Sequence, residues 1–183
     1  MAGARARAVP DVSTVIRPAR IPDAPWLADL AERTFRETYT AYNTPEDMER
    51  YVSEHFGPEL QAGELGDPGS LTLVAEVDGR AAGYARLGRG AAPACVAGAE
   101  PMEIIRFYVD RPWHGQGLAQ ELMRAAAEHA RAAGARTLWL GVWEQNPRAI
   151  AFYRKCGFTE VGTQTFVLGA DHQRDLVLAR PIS

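Results

Sequence analysis

The sequence predicts a single domain of the α/β (α+β) class, in which a sheet of mixed direction with about six to seven strands is flanked by about four helices. Three observations support this fold. The chain has 183 residues, 46% hydrophobic and 23% charged, which is ordinary for one domain with a continuous core. Apolar residues recur at a period of two in some segments and at helical spacing in others. These segments follow the order strand, two helices, three strands, helix, strand, helix, two strands.

The first elements follow a short basic leader. Residues 1–13, MAGARARAVPDVS, are small, basic and without periodicity, so we expect a disordered leader, with the domain spanning 14–183. A short strand, TVIR, begins at Thr14. Helical spacing then predicts an amphipathic helix. Its apolar face consists of Trp26, Leu27, Leu30, Ala31 and Phe35.

A second helix and a β-hairpin come next. Thr44 is a typical N-cap for the helix, which we expect to end at Gly57. The segment after it is rich in Gly, Pro and Asp and predicts a loop. Two apolar runs on either side of Asp78-Gly79 predict a hairpin over 71–87, because Asp-Gly favours the tight turn that joins antiparallel strands.

The second half of the chain alternates strands and helices. A long loop, 88–101, precedes the strand 103–109. A glycine-rich turn then opens a helix that ends at Gly134, a typical C-terminal cap. A buried strand, RTLWLGVW, leads to a short helix that begins at Asn146. Two further strands, GFTEVGTQTFVLG and RDLVLAR, complete the sheet.

Composition excludes several classes of function. The formal net charge is -3 and the pI is near 5.8, so neither nucleic acid nor an anionic membrane surface is an expected partner. No segment has the apolar run of a signal sequence or of a membrane span. The two cysteines, Cys95 and Cys156, fit a reducing cytoplasm. The four histidines show no metal-ligand spacing with one another or with the cysteines, so no metal site is expected.

Two glycines one residue apart, Gly115 and Gly117, mark the point where a strand gives way to a helix. The first backbone N–H groups of a helix lack intrahelical partners and attract anions, and glycines let a pyrophosphate approach closely. A nucleoside triphosphate loop would continue with Lys and then Ser or Thr, whereas Leu118 follows here. A dinucleotide fingerprint would need a small residue where Gln120 stands. For two glycines alone, a tight turn without a ligand is the simpler interpretation.

A second motif changes that interpretation. The segment HGQGLA, 114–119, is followed about thirty residues later by NPRAIAFYRKCGF, 146–158. Together the two motifs resemble the acetyl-coenzyme A site of the GNAT superfamily of N-acetyltransferases. That family's loop starts with Arg or Gln, where this chain has His114. The resemblance covers nearly all of 14–180 and in outline is similar to the PaiA-type branch, whose members acetylate polyamines and other small primary amines.

The resemblance implies a mostly antiparallel central sheet and a set of site residues. Acetyl-coenzyme A would be the co-substrate. Its pyrophosphate would bind the glycine loop, and its pantetheine arm would lie along 107–109 like an added strand. The side chain of Asn146 would hydrogen-bond that arm, and Tyr153 would face the sulfur. The implied cofactor-binding residues are Phe107, Tyr108, Val109, His114, Gly115, Gln116, Gly117, Leu118, Ala119, Gln120, Asn146 and Tyr153.

Two side chains are candidates for catalysis. An ammonium group with a pKa of about 10 must lose a proton before the amine attacks a thioester. Glu103 is the candidate acceptor of that proton, directly or through water, although an exposed glutamate at a strand end explains it equally well. Tyr153 can protonate the leaving thiolate, and its alternative role is a core aromatic beside Phe152. Cys156 is expected to be a small core residue rather than a nucleophile.

The predicted function is transfer of an acetyl group from acetyl-coenzyme A to a small primary amine, with a polyamine as one option, by direct attack in a ternary complex. The candidate acceptor-binding residues are Phe35, Tyr39, Tyr42 and Glu103. The three aromatic rings can stack on an alkyl amine, although core packing explains Phe35 at least as well. Two alternatives stay open: a protein or peptide amine as acceptor, and a non-catalytic domain that senses coenzyme A. The sequence leaves the oligomeric state open between monomer and homodimer.

Overall fold

The computed structural model of the protein describes residues 13–168 and 171–183, so the expected leader lies almost entirely outside the described residues. The strands are β1 (Thr14–Pro18), β2 (Ser70–Val77), β3 (Arg80–Gly88), β4 (Pro101–Val109), β5 (Thr137–Trp143), β6 (Thr159–Leu168) and β7 (Asp171–Pro181). The helices are α1 (Ala24–Tyr39), α2 (Pro45–His55), α3 (Pro58–Gly66), α4 (Leu118–Ala132) and α5 (Pro147–Lys155).

The seven strands form one sheet in the order β1-β2-β3-β4-β5-β7-β6. Every neighbouring pair is antiparallel except β4 and β5, which run parallel. The predicted class and the mixed, mostly antiparallel sheet are therefore confirmed. The predicted hairpin is confirmed as well, because Asp78 and Gly79 both adopt positive φ, as the two-residue turn between β2 and β3 requires.

The described residues form five α-helices, one more than the four expected, since α3 occupies the segment that the sequence predicted as a loop. Pro58 stands at the start of α3, and two glycines within nine residues weaken the helical signal. Tertiary contacts hold this helix in place. Gln61 is buried and donates to the carbonyl of the last residue of α2, while Glu64 forms ion pairs with Arg86 of β3 and Arg106 of β4.

The helices cover the two faces of the sheet unequally. On one face, α4 and α5 pack on the larger core, in which α4 buries a set of apolar residues at helical spacing: Leu118, Leu122, Met123, Ala126 and Ala130. On the other face, α1 and α2 pack over β2 and β3 through a second core that includes Leu27, Leu30 and Tyr84. Each large apolar side chain buried in this way contributes about 1.5–3 kcal/mol.

A gap opens in the sheet between β4 and β5. Their parallel pairing extends only over 101–103 and 137–139, so beyond Glu103 the facing edges of the two strands are not paired with each other. At the start of this gap, β4 carries a β-bulge: Arg106 pairs with Arg86 and Ile104 with Leu87, which leaves Ile105 as the extra residue. The start of α4 lies close to the open end of this gap, because α4 begins shortly after the end of β4.

Candidate functional site

A groove of about 1180 Å³ runs through the gap between β4 and β5. It is continuous from one face of the sheet to the other. On the α4 and α5 side it includes Gly115, Ala119 and Tyr153, and on the α1 and α2 side it includes Tyr39 and Asp175. A cavity of this size, partly aromatic and with a few charged groups, has the usual character of a small-molecule site.

The turn before α4 presents a row of free backbone donors. In the part of the chain that the structure describes, the N–H groups of 115–119 donate to no other residue. Gly115 and Gly117 adopt φ of 77° and 87°, which turns the backbone so that the N–H groups lie together. A Cβ at either glycine would meet no atom within 4 Å, so the space beside the backbone is open. The turn therefore fits a pyrophosphate, which is bulky and anionic.

The side chains around this turn hold it in position. The ring Nε2 of His114 lies 2.6 Å from the carbonyl oxygen of Val109, and Gln116 donates from Nε2 to Pro112 O at 2.7 Å. His114 therefore fastens the turn to β4, at the place where the related loops have Arg or Gln. Leu118 is buried in the core, so its contribution to an anion site is limited to its backbone N–H.

The first turn of α5 and the aromatic residues behind it form the wall opposite β4. Asn146 caps α5, with its Oδ1 accepting from Ala149 N at 3.0 Å, so its NH₂ group is the part that can donate to a ligand. Phe107 reaches across the gap, and its ring centroid lies 5.5 Å from that of Phe152 and 6.2 Å from that of Tyr153.

Tyr153 is 8% exposed and still lines the groove. Burial raises the pKa of its phenol, so the group stays protonated at neutral pH. The hydroxyl hydrogen-bonds to no other residue that the structure describes, which leaves the phenol available to a group in the groove. Tyr108, which the sequence placed with the cofactor, turns its ring to the opposite face and stacks on Tyr84 at 5.8 Å.

Glu103 lies at the closed end of the gap, where β4 and β5 still pair. Its residue partners are Gly88 on β3 and Trp139 on β5. The side chain is half-buried rather than exposed, and this burial raises the pKa of its carboxyl, while the nearby Arg86 partly offsets the rise. A carboxylate with a raised pKa is a better proton acceptor, as a general base requires.

The three aromatic acceptor candidates occupy different depths. Phe35 is only 2% exposed and stacks on Tyr51 at 4.6 Å, so it lies mainly in the core behind the groove. Tyr39 and Tyr42 lie at the groove, and both contact Trp143. The ring centroid of Trp143 lies 5.8 Å from that of Tyr39 and 4.7 Å from that of Tyr42.

Sequence reasoning missed Asp175 and Trp143, which form the floor of the groove on the α1 and α2 side. Asp175 is 7% exposed, and burial raises the pKa of its carboxyl to about 6. The signal available in the sequence was an acidic residue at the start of an apolar strand, DLVLA. Such a residue is ordinary at a strand end, and only the contacts from distant segments make this one unusual.

Other groups contribute no chemistry here. Cys156 is half-buried, and burial raises the pKa of its thiol, which disfavours a thiolate nucleophile. Among the described residues, no three His, Cys, Asp or Glu side chains come close enough to hold a metal ion. No helix in the described ranges is long and apolar enough to cross a membrane.

Comparison with known proteins supports the same interpretation. A profile of the Acetyltransferase (GNAT) family matches residues 27–158. The chain is 34% identical over 160 residues to an uncharacterised N-acetyltransferase from the pepI 3′ region of Lactobacillus delbrueckii subsp. lactis, covering 87% of this chain and 92% of that protein. It is 38% identical over 160 residues to an uncharacterised N-acetyltransferase of Mycobacterium tuberculosis, covering 87% and 98%.

The fold is also found among solved structures. The PaiA N-acetyltransferase of Thermoplasma acidophilum in complex with coenzyme A superposes with a TM-score of 0.77, covering 92% of this chain and 99% of that one, at 22% sequence identity. The open turn, the row of free N–H groups and the gap beside β4 fit the coenzyme. The chain therefore belongs to the GNAT family of acetyltransferases, and it is an N-acetyltransferase that uses acetyl-coenzyme A as its co-substrate.

Proposed function

We propose that the enzyme acetylates a small primary amine, and in particular a polyamine, by direct attack within a ternary complex. One observation supports this proposal most directly. Through the gap between β4 and β5, a single groove joins the turn with free N–H groups (115–119) to an aromatic recess under α1 and α2, which is lined by Tyr39, Tyr51, Trp143 and Phe166. A donor bound on one side and an acceptor bound on the other would meet inside the gap. No covalent acetyl-enzyme is needed in this arrangement.

The coenzyme is held mainly by backbone groups. The N–H groups of 115–119 would bind the pyrophosphate, and the unpaired edge of β4 at 107–109 would pair with the pantetheine arm. Three cationic side chains that line the groove, Arg111, Arg148 and Lys155, add positive charge for phosphate groups. When bound, the co-substrate supplies an acetyl thioester.

Glu103 and Tyr153 are assigned the two proton transfers. Glu103 would take the proton of the acceptor ammonium, directly or through water, which its raised pKa favours. Tyr153 lies on the other side of the gap and would donate its phenol proton to the sulfur as the thioester breaks. The two groups thus act on opposite sides of the gap.

The shape of the acceptor side favours a small molecule over a protein. The loop 88–101 packs on the sheet, where Val96 forms a small core with Trp139 and Val177. Gly98 lies so close to Thr137 that a Cβ there would clash with its side chain. The loop therefore covers this part of the sheet, where a peptide would need an open surface. The two free thiols support a cytoplasmic location.

A screen of acceptors tests the proposal. The enzyme is incubated with acetyl-coenzyme A and each amine, and thiol release is measured alongside product mass. We expect spermidine or spermine to react faster than glucosamine, an aminoglycoside or a peptide N-terminus. Faster acetylation of the peptide would favour a protein acceptor. Tight binding of acetyl-coenzyme A with no acetylation of any amine would make the domain a sensor.

A further inference from the structure

We propose that Asp175 binds the ammonium group of the acceptor and makes the enzyme selective for cationic amines with an alkyl chain. This inference rests on the proposed function, since it names the chemistry of the acceptor in the same groove. It assigns a binding role to a strand, β7, that carries neither of the two sequence motifs.

The register of the sheet places the Asp175 carboxylate beside the gap. Asp175 pairs with Trp143 of β5, and its side chain extends toward Gly141 of the same strand. A Cβ added at Gly141 would lie 3.0 Å from the Oδ2 atom of Asp175. Gly141 is two residues beyond Trp139, which pairs with Glu103. It is therefore level with Ile105, the bulge residue of β4 at the start of the gap.

The carboxylate has no counter-charge among the residues that the structure describes. Two other aspartates are similarly buried, and each forms an ion pair with an arginine. The Oδ2 atom of Asp23 lies 2.7 Å from a guanidinium nitrogen of Arg17, and the Oδ2 atom of Asp110 lies 2.7 Å from a guanidinium nitrogen of Arg33. The Asp175 carboxylate, by contrast, forms no hydrogen bond or ion pair with any other residue in the described ranges. Because a buried charge is costly unless it is paired, a cation supplied by a ligand is the natural partner.

A cationic side chain on this face of the groove is already engaged in an ion pair. Arg106 also lines the groove on this face, but it is ion-paired with Glu64 and lies over the ring of Phe56, 5.0 Å from its centroid. Arg106 therefore leaves the Asp175 carboxylate available to pair with a cationic ligand. Glu103 differs from Asp175 in this respect, because the positive charge of Arg86 acts on it.

The surroundings of Asp175 also favour a cation on an alkyl chain. Aromatic rings from four elements line the recess. The ring centroids of Tyr39 (α1) and Trp143 (β5) lie 5.8 Å apart, and those of Tyr51 (α2) and Phe166 (β6) also lie 5.8 Å apart. Aromatic faces attract cations and pack well on methylene groups. Tyr39 is close enough to Asp175 that the negative charge helps to raise the pKa of its phenol. The recess therefore suits an alkylammonium better than a neutral or anionic acceptor.

Calorimetric titration of the coenzyme A-saturated protein with spermidine and with n-butylamine, at pH 7.5, tests the inference. We expect Asp175→Asn to weaken the binding of both amines by about tenfold or more, because a charge-assisted hydrogen bond is lost. The matched control is Glu144→Gln, which removes the same charge from a solvent-exposed pair with Arg174 and should bind both amines as the wild type does. Affinity for coenzyme A should be the same in all three proteins.

Equal amine affinity in the wild type and Asp175→Asn would overturn the inference, as would a wild type that binds neither amine. Should Asp175→Asn not fold, Gly141→Ala decides. Its Cβ would lie 2.5 Å from Gln164 Nε2 and 3.0 Å from Asp175 Oδ2, so these two side chains must shift while the charge is kept. Unchanged amine affinity in this variant would then overturn the inference. The proposed function is judged separately, by acetyl transfer. Asp175-dependent binding without transfer refutes that function alone, and transfer with Asp175-independent binding refutes the inference alone.

Discussion

Replacing Asp175 with Asn should stabilise the free protein at neutral pH. The side chain keeps its size and shape, and the substitution removes a buried charge that has no partner among the described residues. A substitution that raises stability is unusual, since most substitutions destabilise a protein. The effect follows from the same feature that suits the residue to bind a cation.

The magnitude comes from the difference in pKa between the folded and unfolded states. Burial raises the pKa of Asp175 to about 6, against about 3.9 in an unfolded chain. Each pKa unit corresponds to about 1.4 kcal/mol, so the ionised carboxylate destabilises the folded state by up to about 3 kcal/mol. Water in the groove screens the charge and lowers this figure, so we expect a gain of about 1 to 3 kcal/mol in Asp175→Asn.

The direction of the pH dependence follows from the raised pKa. Below about pH 4 the carboxyl is protonated in both states and costs nothing. Between about pH 4 and pH 6 the unfolded chain loses the proton while the folded chain keeps it, so the wild type loses stability as pH rises. Above about pH 6 the penalty is constant. The stability difference between Asp175→Asn and wild type should therefore grow from near zero at pH 4 to its full value at pH 7.

Urea denaturation of both proteins at several pH values measures this difference. Other titratable or charged groups facing the carboxylate are Tyr39, Tyr51, His55, Arg106 and Tyr108, and their contributions largely cancel between two proteins that differ at one site. A difference that is independent of pH, or a wild type that is the more stable protein at pH 7, would show that Asp175 has a partner in the free protein and would refute the reasoning.

Three further substitutions test the coenzyme side and the chemistry. Gly117→Val should weaken coenzyme A binding, which calorimetry measures. The control is Gly157→Val, at a similar left-handed φ of 86° but away from the groove, and this variant should lose stability without losing affinity for coenzyme A. Equal losses of affinity in the two variants would show that the turn is not part of the coenzyme site. Tyr153→Phe should fold and bind coenzyme A but lose about 10² to 10⁴ in kcat, and an unchanged kcat would assign thiolate protonation to another group. Glu103→Gln should lower kcat/KM and flatten the acidic limb of its pH profile, and an unaltered limb would exclude Glu103 as the base.

The sequence could indicate the candidate coenzyme site because the parts of that site are close in sequence. The turn at 114–119 and the start of α5 at Asn146 are short continuous segments, and backbone donors at a helix start depend on local conformation alone. The structure also explains the one departure from the family pattern. His114 contacts the Val109 carbonyl, so its role is to hold the turn in place.

The acceptor side was only partly predictable because it is assembled from distant segments. Tyr39 and Tyr42 were expected there, but Trp143 and Asp175 come from strands more than a hundred residues later in the chain. Their proximity depends on the pairing of β5 with β7, which no local spacing records. The unexpected helix α3 has the same explanation, since the ion pairs of Glu64 rather than helical periodicity fix it.

Two local irregularities in the strands on either side of the gap occur at the same level of the sheet. On β4, the bulge at Ile105 interrupts the regular pairing with β3. On β5, Gly141 has no side chain, and the side chains of Gln164 and Asp175 occupy the space beside it. A bulge often redirects a strand beside a site, and a glycine inside a strand often permits close approach of another group. Either one alone could be a tolerated defect. Their coincidence beside the opening, one on β4 and one under the Asp175 carboxylate, supports the proposal that donor and acceptor meet at this level of the gap.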